Sequence, residues 1–81
     1  GRPEPGALGF ELQVGAFRSR ENAQALADQL SRANFTTVLR PRGNLTLVLV
    51  VGLPDREQAE AAVRRLAEQF GLQALVQAAQ G

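Results

Sequence analysis

The chain of 81 residues contains no cysteine, histidine, methionine, tryptophan or tyrosine. Without cysteine there is no disulfide and no thiolate nucleophile, and without cysteine and histidine the usual ligands of transition metals are missing. The two serines, Ser19 and Ser31, belong to a predicted helix, and the chain has no histidine or lysine to activate them. The sequence therefore predicts a protein that is not an enzyme, with no metal site and no cofactor.

Net charge and long apolar runs are also scarce. Nine arginines against eight acidic residues give a formal net charge of +1, which is too small for general binding to a nucleic-acid backbone. The longest apolar run, Leu45 to Leu53, is about half as long as a membrane-spanning helix. We therefore expect no nucleic-acid partner, no direct membrane insertion by this segment and no signal peptide.

The length allows one small domain. Residues 1–9 carry two prolines and three glycines without a helical or strand period, so they are expected to form a flexible linker tail. Residues 10–77 are the predicted folded domain, and residues 78–81 are a predicted flexible C-terminus. We expect this segment to be a monomer and to belong to a longer protein.

The first half of the domain has the pattern of a strand followed by a helix. Apolar residues alternate with polar ones from Phe10 to Val14, so Glu11 and Gln13 are predicted to face away from the core. Ser19 is a candidate N-cap. The helix that follows carries an apolar stripe and is expected to end at Asn34, which tolerates a left-handed backbone. The stripe consists of Ala23, Leu26, Ala27 and Leu30.

The second half repeats this plan. A strand over Phe35 to Arg40 and a strand over Leu45 to Val51 flank a turn signal, "RGN", which indicates a hairpin. Asp55 resembles the start of a capping box for a second helix, with Gly71 at its end. Its stripe is Ala59, Ala62, Val63, Leu66, Ala67 and Phe70, and a short strand over Leu72 to Gln77 is predicted to follow.

These elements predict an α+β fold of the ferredoxin-like or RNP-like βαββαβ type, with two helices on one face of a four-stranded antiparallel sheet. "RENAQALADQL" and "REQAEAAVRRL" align at the offset that separates Arg20 from Arg56, as expected for two βαβ units. Right-handed crossovers then give the strand order 4-1-3-2. The predicted uncovered face carries Glu11, Gln13, Val38, Arg40, Thr46, Val48, Val50, Ala74 and Val76.

The stretch "FELQVGAFRSRENAQALADQLSRANF", followed by "LVLVVGLPDREQAEAAVRRL", resembles a SPOR domain (sporulation-related repeat) from Phe10 to about Gln77. The resemblance implies a non-catalytic module of the bacterial cell envelope. It also implies binding to peptidoglycan glycan strands that lack stem peptides, and targeting of the parent protein to the division septum or cell wall. The expected location is extracytoplasmic, on the periplasmic or cell-wall side.

The resemblance and the uncovered face together give a set of candidate binding residues. Gln13 belongs to the "QVGAF" motif and offers amide donors and an acceptor to sugar hydroxyl and N-acetyl groups, while Arg40 is suited to a lactyl carboxylate. Where the family typically has an aromatic residue and an arginine in strand three, this alignment places Thr46 and Val48, and Ala16 stands where a serine is often found. The candidate glycan-binding residues are Glu11, Gln13, Ala16, Arg40, Thr46, Val48 and Val76.

Two other functions are compatible with the same fold. A protein-interaction module would use the valines of the uncovered face, or an exposed strand edge, to bind a partner. An RNA-binding sheet would stack bases on aromatic residues. The four aromatics here are all phenylalanines, of which Phe10, Phe35 and Phe70 are assigned to the core and Phe17 to a loop, so the RNA-binding hypothesis is disfavoured.

Overall fold

A computed structural model describes residues 9–79 and contains four strands and two helices in the predicted order. Residues 1–8 of the predicted linker tail (1–9) and residues 80 and 81 of the predicted flexible C-terminus (78–81) lie outside the described part. The elements are β1 (Phe10–Phe17), α1 (Arg20–Arg32), β2 (Thr36–Arg42), β3 (Leu45–Leu53), α2 (Arg56–Phe70) and β4 (Leu75–Ala78).

Both helices begin and end where local sequence chemistry predicts. The Ser19 hydroxyl accepts a hydrogen bond from the Asn22 amide at 3.2 Å, and the Asp55 carboxylate accepts one from the Gln58 amide at 2.8 Å. Each bond satisfies an amide that the first helical turn leaves without a partner. At the other ends, Asn34 and Gly71 have φ angles of 70° and 65°. The predicted caps are therefore confirmed at both ends of both helices.

The strands form one antiparallel sheet in the order β2-β3-β1-β4, which confirms the predicted fold and strand order. Arg42 pairs with Leu45 across a two-residue turn, so the "RGN" signal did mark a hairpin. Both helices pack on the same face of the sheet, because their buried residues join one core cluster with Leu12, Val14, Val48 and Val50. No helix among residues 9–79 is long and apolar enough to cross a membrane.

Two bulges adjust the pairing of β1 with β3. Glu11 faces two β3 residues, because Phe10 pairs with Leu53 and Leu12 with Val50. One of these two β3 residues is Gly52, whose φ of 78° is accessible to glycine at little cost. In the second bulge the extra residue belongs to β1 instead of β3. Gln13 pairs with Leu49 and Gly15 with Val48, which leaves Val14 as the extra residue.

The second bulge explains both the glycine of "QVGAF" and the spacing of the motif. A Cβ atom at Gly15 would lie 2.8 Å from a ring carbon of Phe17 and 3.3 Å from a methyl carbon of Leu26, so a side chain would collide with the core. Val14 and Gly15 thus both face the helices. Ala16 pairs with Leu47 and returns to the face that carries Gln13. β1 consequently continues to Phe17 rather than ending at Val14.

The predicted orientation of β3 is wrong. Val48 and Val50 are fully buried against the helices, and Val50 pairs with the core residue Leu12. Thr46 pairs with Phe17, which packs against the same core. Four consecutive apolar residues from Leu47 to Val50 are all buried, so the sequence contains no alternation from which the two faces could be assigned.

The predicted orientation and bounds of the last strand are also wrong. The Leu72 amide donates a hydrogen bond to the Leu66 carbonyl at the end of α2, at 3.1 Å, so Leu72 is bonded to the helix and does not begin the strand. Pairing with β1 covers Leu75 to Ala78. Val76 pairs with Leu12, and Ala74 packs against the core, so both belong to the helix side of the sheet. The β2 strand extends through Pro41 to Arg42, beyond the predicted end at Arg40.

Candidate functional site

The face of the sheet opposite the two helices is the candidate site, and we call it the helix-free face. Strand pairing assigns its members, because residues directly opposite each other in neighbouring strands point to the same side. The helix-free face carries Glu11, Gln13, Ala16, Val38, Arg40, Arg42, Leu45, Leu47, Leu49, Leu75 and Gln77.

A buried ion pair occupies the centre of this face. Glu11 is 1% exposed, and its two carboxylate oxygens accept hydrogen bonds from the Arg40 guanidinium at 2.6 and 3.3 Å. The Gln77 side-chain amide donates a third bond to Glu11 at 2.7 Å. Three strands, β1, β2 and β4, are thereby tied together by side chains, since Arg40 reaches across β3 to contact Glu11.

The charge state of Arg40 follows from its contacts in this pair. The hydrogen bond from Arg40 to Glu11 raises the pKa of the Arg40 guanidinium, and the opposite charge of the carboxylate adds to this effect, whereas partial burial opposes it. Arg40 is therefore protonated at any physiological pH. Its side chain is 33% exposed, so one side of the guanidinium still faces solvent while the other is held by Glu11.

Gln13 lies beside this cluster and lines a shallow depression of about 430 Å³. The half-buried Gln13 side chain forms no hydrogen bond to another residue within 9–79, so its amide donors and acceptor are available to a ligand. Polar side chains from β1, β2 and β4 converge here on a surface with an apolar floor at Leu47. The depression is lined by Gln13, Arg40, Pro41, Arg42, Leu47, Gln77 and Ala78.

The structure brings together four of the seven predicted site residues. Glu11, Gln13, Ala16 and Arg40 lie on the helix-free face, although Glu11 is buried beneath Arg40 instead of being presented to solvent. The other three predictions are wrong in their placement. Thr46 and Val48 face the helices, and Val76 lies on the helix side with Leu12 as its partner.

Sequence reasoning missed several residues of this face. Arg42 was missed because the predicted second strand ended at Arg40, and extending its period-two alternation by one step would have found Arg42. Gln77 was missed because the predicted last strand had the opposite phase, with Ala74 and Val76 on the uncovered face. Leu45, Leu47 and Leu75 were missed because β3 and β4 were assigned to the opposite phase. No local signal in the β3 sequence corrects that error. The side of the sheet on which Leu75 lies is given by its pairing with Gln13 in the structure.

Within residues 9–79, no group of three or more carboxylate, histidine or cysteine side chains is arranged to hold a metal ion. The accessible side chains of the helix-free face carry amide, guanidinium and aliphatic groups, of which the first two bind polar and anionic ligands through hydrogen bonds.

Comparison with solved structures gives a match that covers most of the fold. The structure resembles the solution structure of the peptidoglycan binding domain of the B. subtilis cell wall lytic enzyme CwlC, with a TM-score of 0.70 and 25% sequence identity. The match covers 83% of this chain and 84% of the other. No curated protein sequence shows significant similarity to the chain.

Comparison with protein families is more direct. The model of the SPOR domain matches residues 8–78, which include every helix and strand of the structure and the whole helix-free face. The residues that carry the sequence resemblance, the "QVGAF" strand and the two alanine-rich helices, all lie within this match. The chain belongs to the SPOR domain family.

Proposed function

We propose that this chain is a non-catalytic module that binds peptidoglycan through the helix-free face and recognises glycan strands from which the stem peptides have been removed. In this proposal it localises its parent protein to the cell wall, on the extracytoplasmic side of the envelope and at the division septum. The proposal needs no cofactor and no second protein.

The observation that carries the proposal is the position of Gln13. Its side chain lies in a depression lined by residues of all four strands, has unused hydrogen-bonding groups, and has charged and apolar neighbours. Membership of the SPOR family and the likeness to a peptidoglycan binding domain support the choice of ligand.

The chemistry of the ligand matches that of the face. A glycan strand presents hydroxyl and N-acetyl groups, the apolar faces of its pyranose rings and, once peptides are removed, lactyl carboxylates. The Gln13 amide pairs with hydroxyl or N-acetyl groups, and Leu75 offers aliphatic surface to the sugar rings. Leu75 is 64% exposed, so it is accessible to such a contact.

The protein-interaction alternative loses one of its two surfaces, the valine-rich uncovered face, in this structure, because Val48 and Val50 are core residues and Val76 lies on the helix side. Val38, at 39% exposure, is the one member of that valine set that the structure places on the helix-free face. The other surface of this alternative, an exposed strand edge, remains, since β2 is at the edge of the sheet.

Co-sedimentation with purified sacculi tests the proposal. We expect the domain to remain in the supernatant with intact sacculi and to enter the pellet after the sacculi have been treated with an amidase that removes the stem peptides. A Gln13→Ala variant with an unchanged unfolding curve should pellet less. Equal pelleting before and after amidase treatment would contradict the specificity for peptide-free strands, and no pelleting in either case would contradict peptidoglycan binding.

A further inference from the structure

The helix-free face has an uneven distribution of charge. Two arginines of β2, Arg40 and Arg42, lie on this face, and Glu11 is its single described acidic residue. All other acidic residues within 9–79 lie in the helices or at a helix N-cap, and the helices pack on the opposite side. They are Glu21, Asp28, Asp55, Glu57, Glu60 and Glu68.

The two arginines differ in what they already contact. The Arg40 guanidinium is bonded to the Glu11 carboxylate through two of its nitrogens, so its charge is compensated inside the domain. Arg42 is exposed and contacts no carboxylate among the described residues. An arginine without an internal partner is the better candidate for an external anion, because no existing bond has to be broken.

Arg42 is also in the right place. It follows Arg40 by two residues in β2, so its side chain leaves the sheet on the same side, and it lines the depression that contains Gln13, Leu47 and Gln77. A ligand whose hydroxyl or N-acetyl groups reach Gln13 therefore passes close to a guanidinium group that is suited to bidentate binding of a carboxylate.

We propose that Arg42 determines the specificity of this site by binding the free carboxylate of a peptide-free sugar residue, while Arg40 stabilises the sheet through its hydrogen bonds to Glu11. This inference rests on the proposed function and names the residue that is responsible for the preference for peptide-free strands. In a peptide-bearing strand the same carboxyl group is an amide, which has no charge and cannot form the bidentate pair with Arg42.

Isothermal titration with two chemically matched probes tests this role. The first probe is a peptide-free glycan oligomer with its carboxylates intact, and the second is the same oligomer after carbodiimide coupling to ammonia, which converts each carboxylate into an amide. We expect the parent domain to bind the first probe about three- to tenfold more tightly, which is the range for a charge-assisted pair at a partly exposed site.

Arg42→Gln should lose this preference and bind both probes with the affinity that the parent has for the amidated one. Arg64→Gln is the matched control, since it removes the same charge from an exposed position on α2 without touching the helix-free face. Arg42→Lys keeps the charge without the planar fork and should retain part of the preference; it also replaces Arg42→Gln as the test variant if the latter does not fold.

The outcomes separate the two proposals. If the parent binds both probes equally, or if Arg42→Gln keeps the parent's preference, the role of Arg42 is refuted while glycan binding stands. If the parent binds neither probe, the proposed function fails and this inference fails with it. Loss of preference in Arg64→Gln as well as in Arg42→Gln would show that net charge, and not Arg42, is responsible.

Discussion

Two neighbouring residues of β3, Leu47 and Val48, give the sharpest test of how the sheet is oriented. Both are buried, at 5% and 0% exposure, and both are aliphatic, but they face opposite sides of the sheet. Replacing each in turn by arginine introduces the same group at adjacent positions of one strand. The two variants therefore differ mainly in the environment of the new side chain, since leucine and valine are both buried aliphatic residues.

Val48→Arg should unfold the domain. The substitution removes an apolar side chain whose burial contributes about 1.5 to 3 kcal/mol. It also places a guanidinium between the sheet and both helices, where the effective cost of an uncompensated charge is several kcal/mol. A domain with about 70 ordered residues has a stability on the order of 4 to 10 kcal/mol. The combined cost is therefore comparable to the whole stability of the fold.

Leu47→Arg should leave the domain folded but less stable. Leu47 lines the depression on the helix-free face, so a longer side chain can place its charged end in water. The cost is the lost burial of leucine, about 2 kcal/mol, and up to about 1 kcal/mol for a like charge opposite Arg40. Together these remain below the expected stability of the domain.

Urea unfolding followed by far-ultraviolet circular dichroism measures both effects on the same scale. We expect no folding transition for Val48→Arg and a cooperative transition at lower urea concentration for Leu47→Arg. A normal transition for Val48→Arg combined with an unfolded Leu47→Arg would mean that β3 has the opposite orientation, and the helix-free face would then have to be redefined.

Three further predictions concern the same face. Gln13→Ala should weaken binding to a peptide-free glycan oligomer by about 1 to 2 kcal/mol, the range for lost hydrogen bonds in a partly desolvated site. The unfolding curve should change little. Unchanged affinity in titration calorimetry would show that Gln13 is not part of the site. Arg40→Ala withdraws two hydrogen bonds from the buried Glu11, so it should destabilise the domain by about 2 to 3 kcal/mol in urea unfolding. This is below the full range for a broken buried pair because Arg40 is partly exposed. A loss under about 0.5 kcal/mol, the size expected of an exposed pair, would contradict a structural role. Leu45→Trp combined with Leu47→Arg should increase glycan affinity, because these strand-three positions face the site and would supply a stacking surface and a guanidinium; affinity equal to the parent in the same titration would count against binding across β3.

The sequence by itself determined the order of the elements, the helix ends and the family. These features depend on local chemistry: capping side chains, glycine or asparagine after a helix, and apolar residues at helical spacing. Ser19 and Asp55 cap the helices because their side chains reach an amide only three residues away. Nothing from the rest of the fold is needed to identify such signals, and the fold class follows from their order.

Only the tertiary structure decided which residues lie on the helix-free face. The run from Leu47 to Val50 is apolar on both sides because β3 is a central strand, so its phase is fixed by pairing with β1 and not by its own pattern. The bulge at Val14 then brings Ala16 to the side of Gln13, against simple alternation. The contacts of Glu11 with Arg40 and Gln77 join residues 29 and 66 positions apart. Contacts over such separations depend on how the strands are packed, and local sequence patterns do not specify that packing.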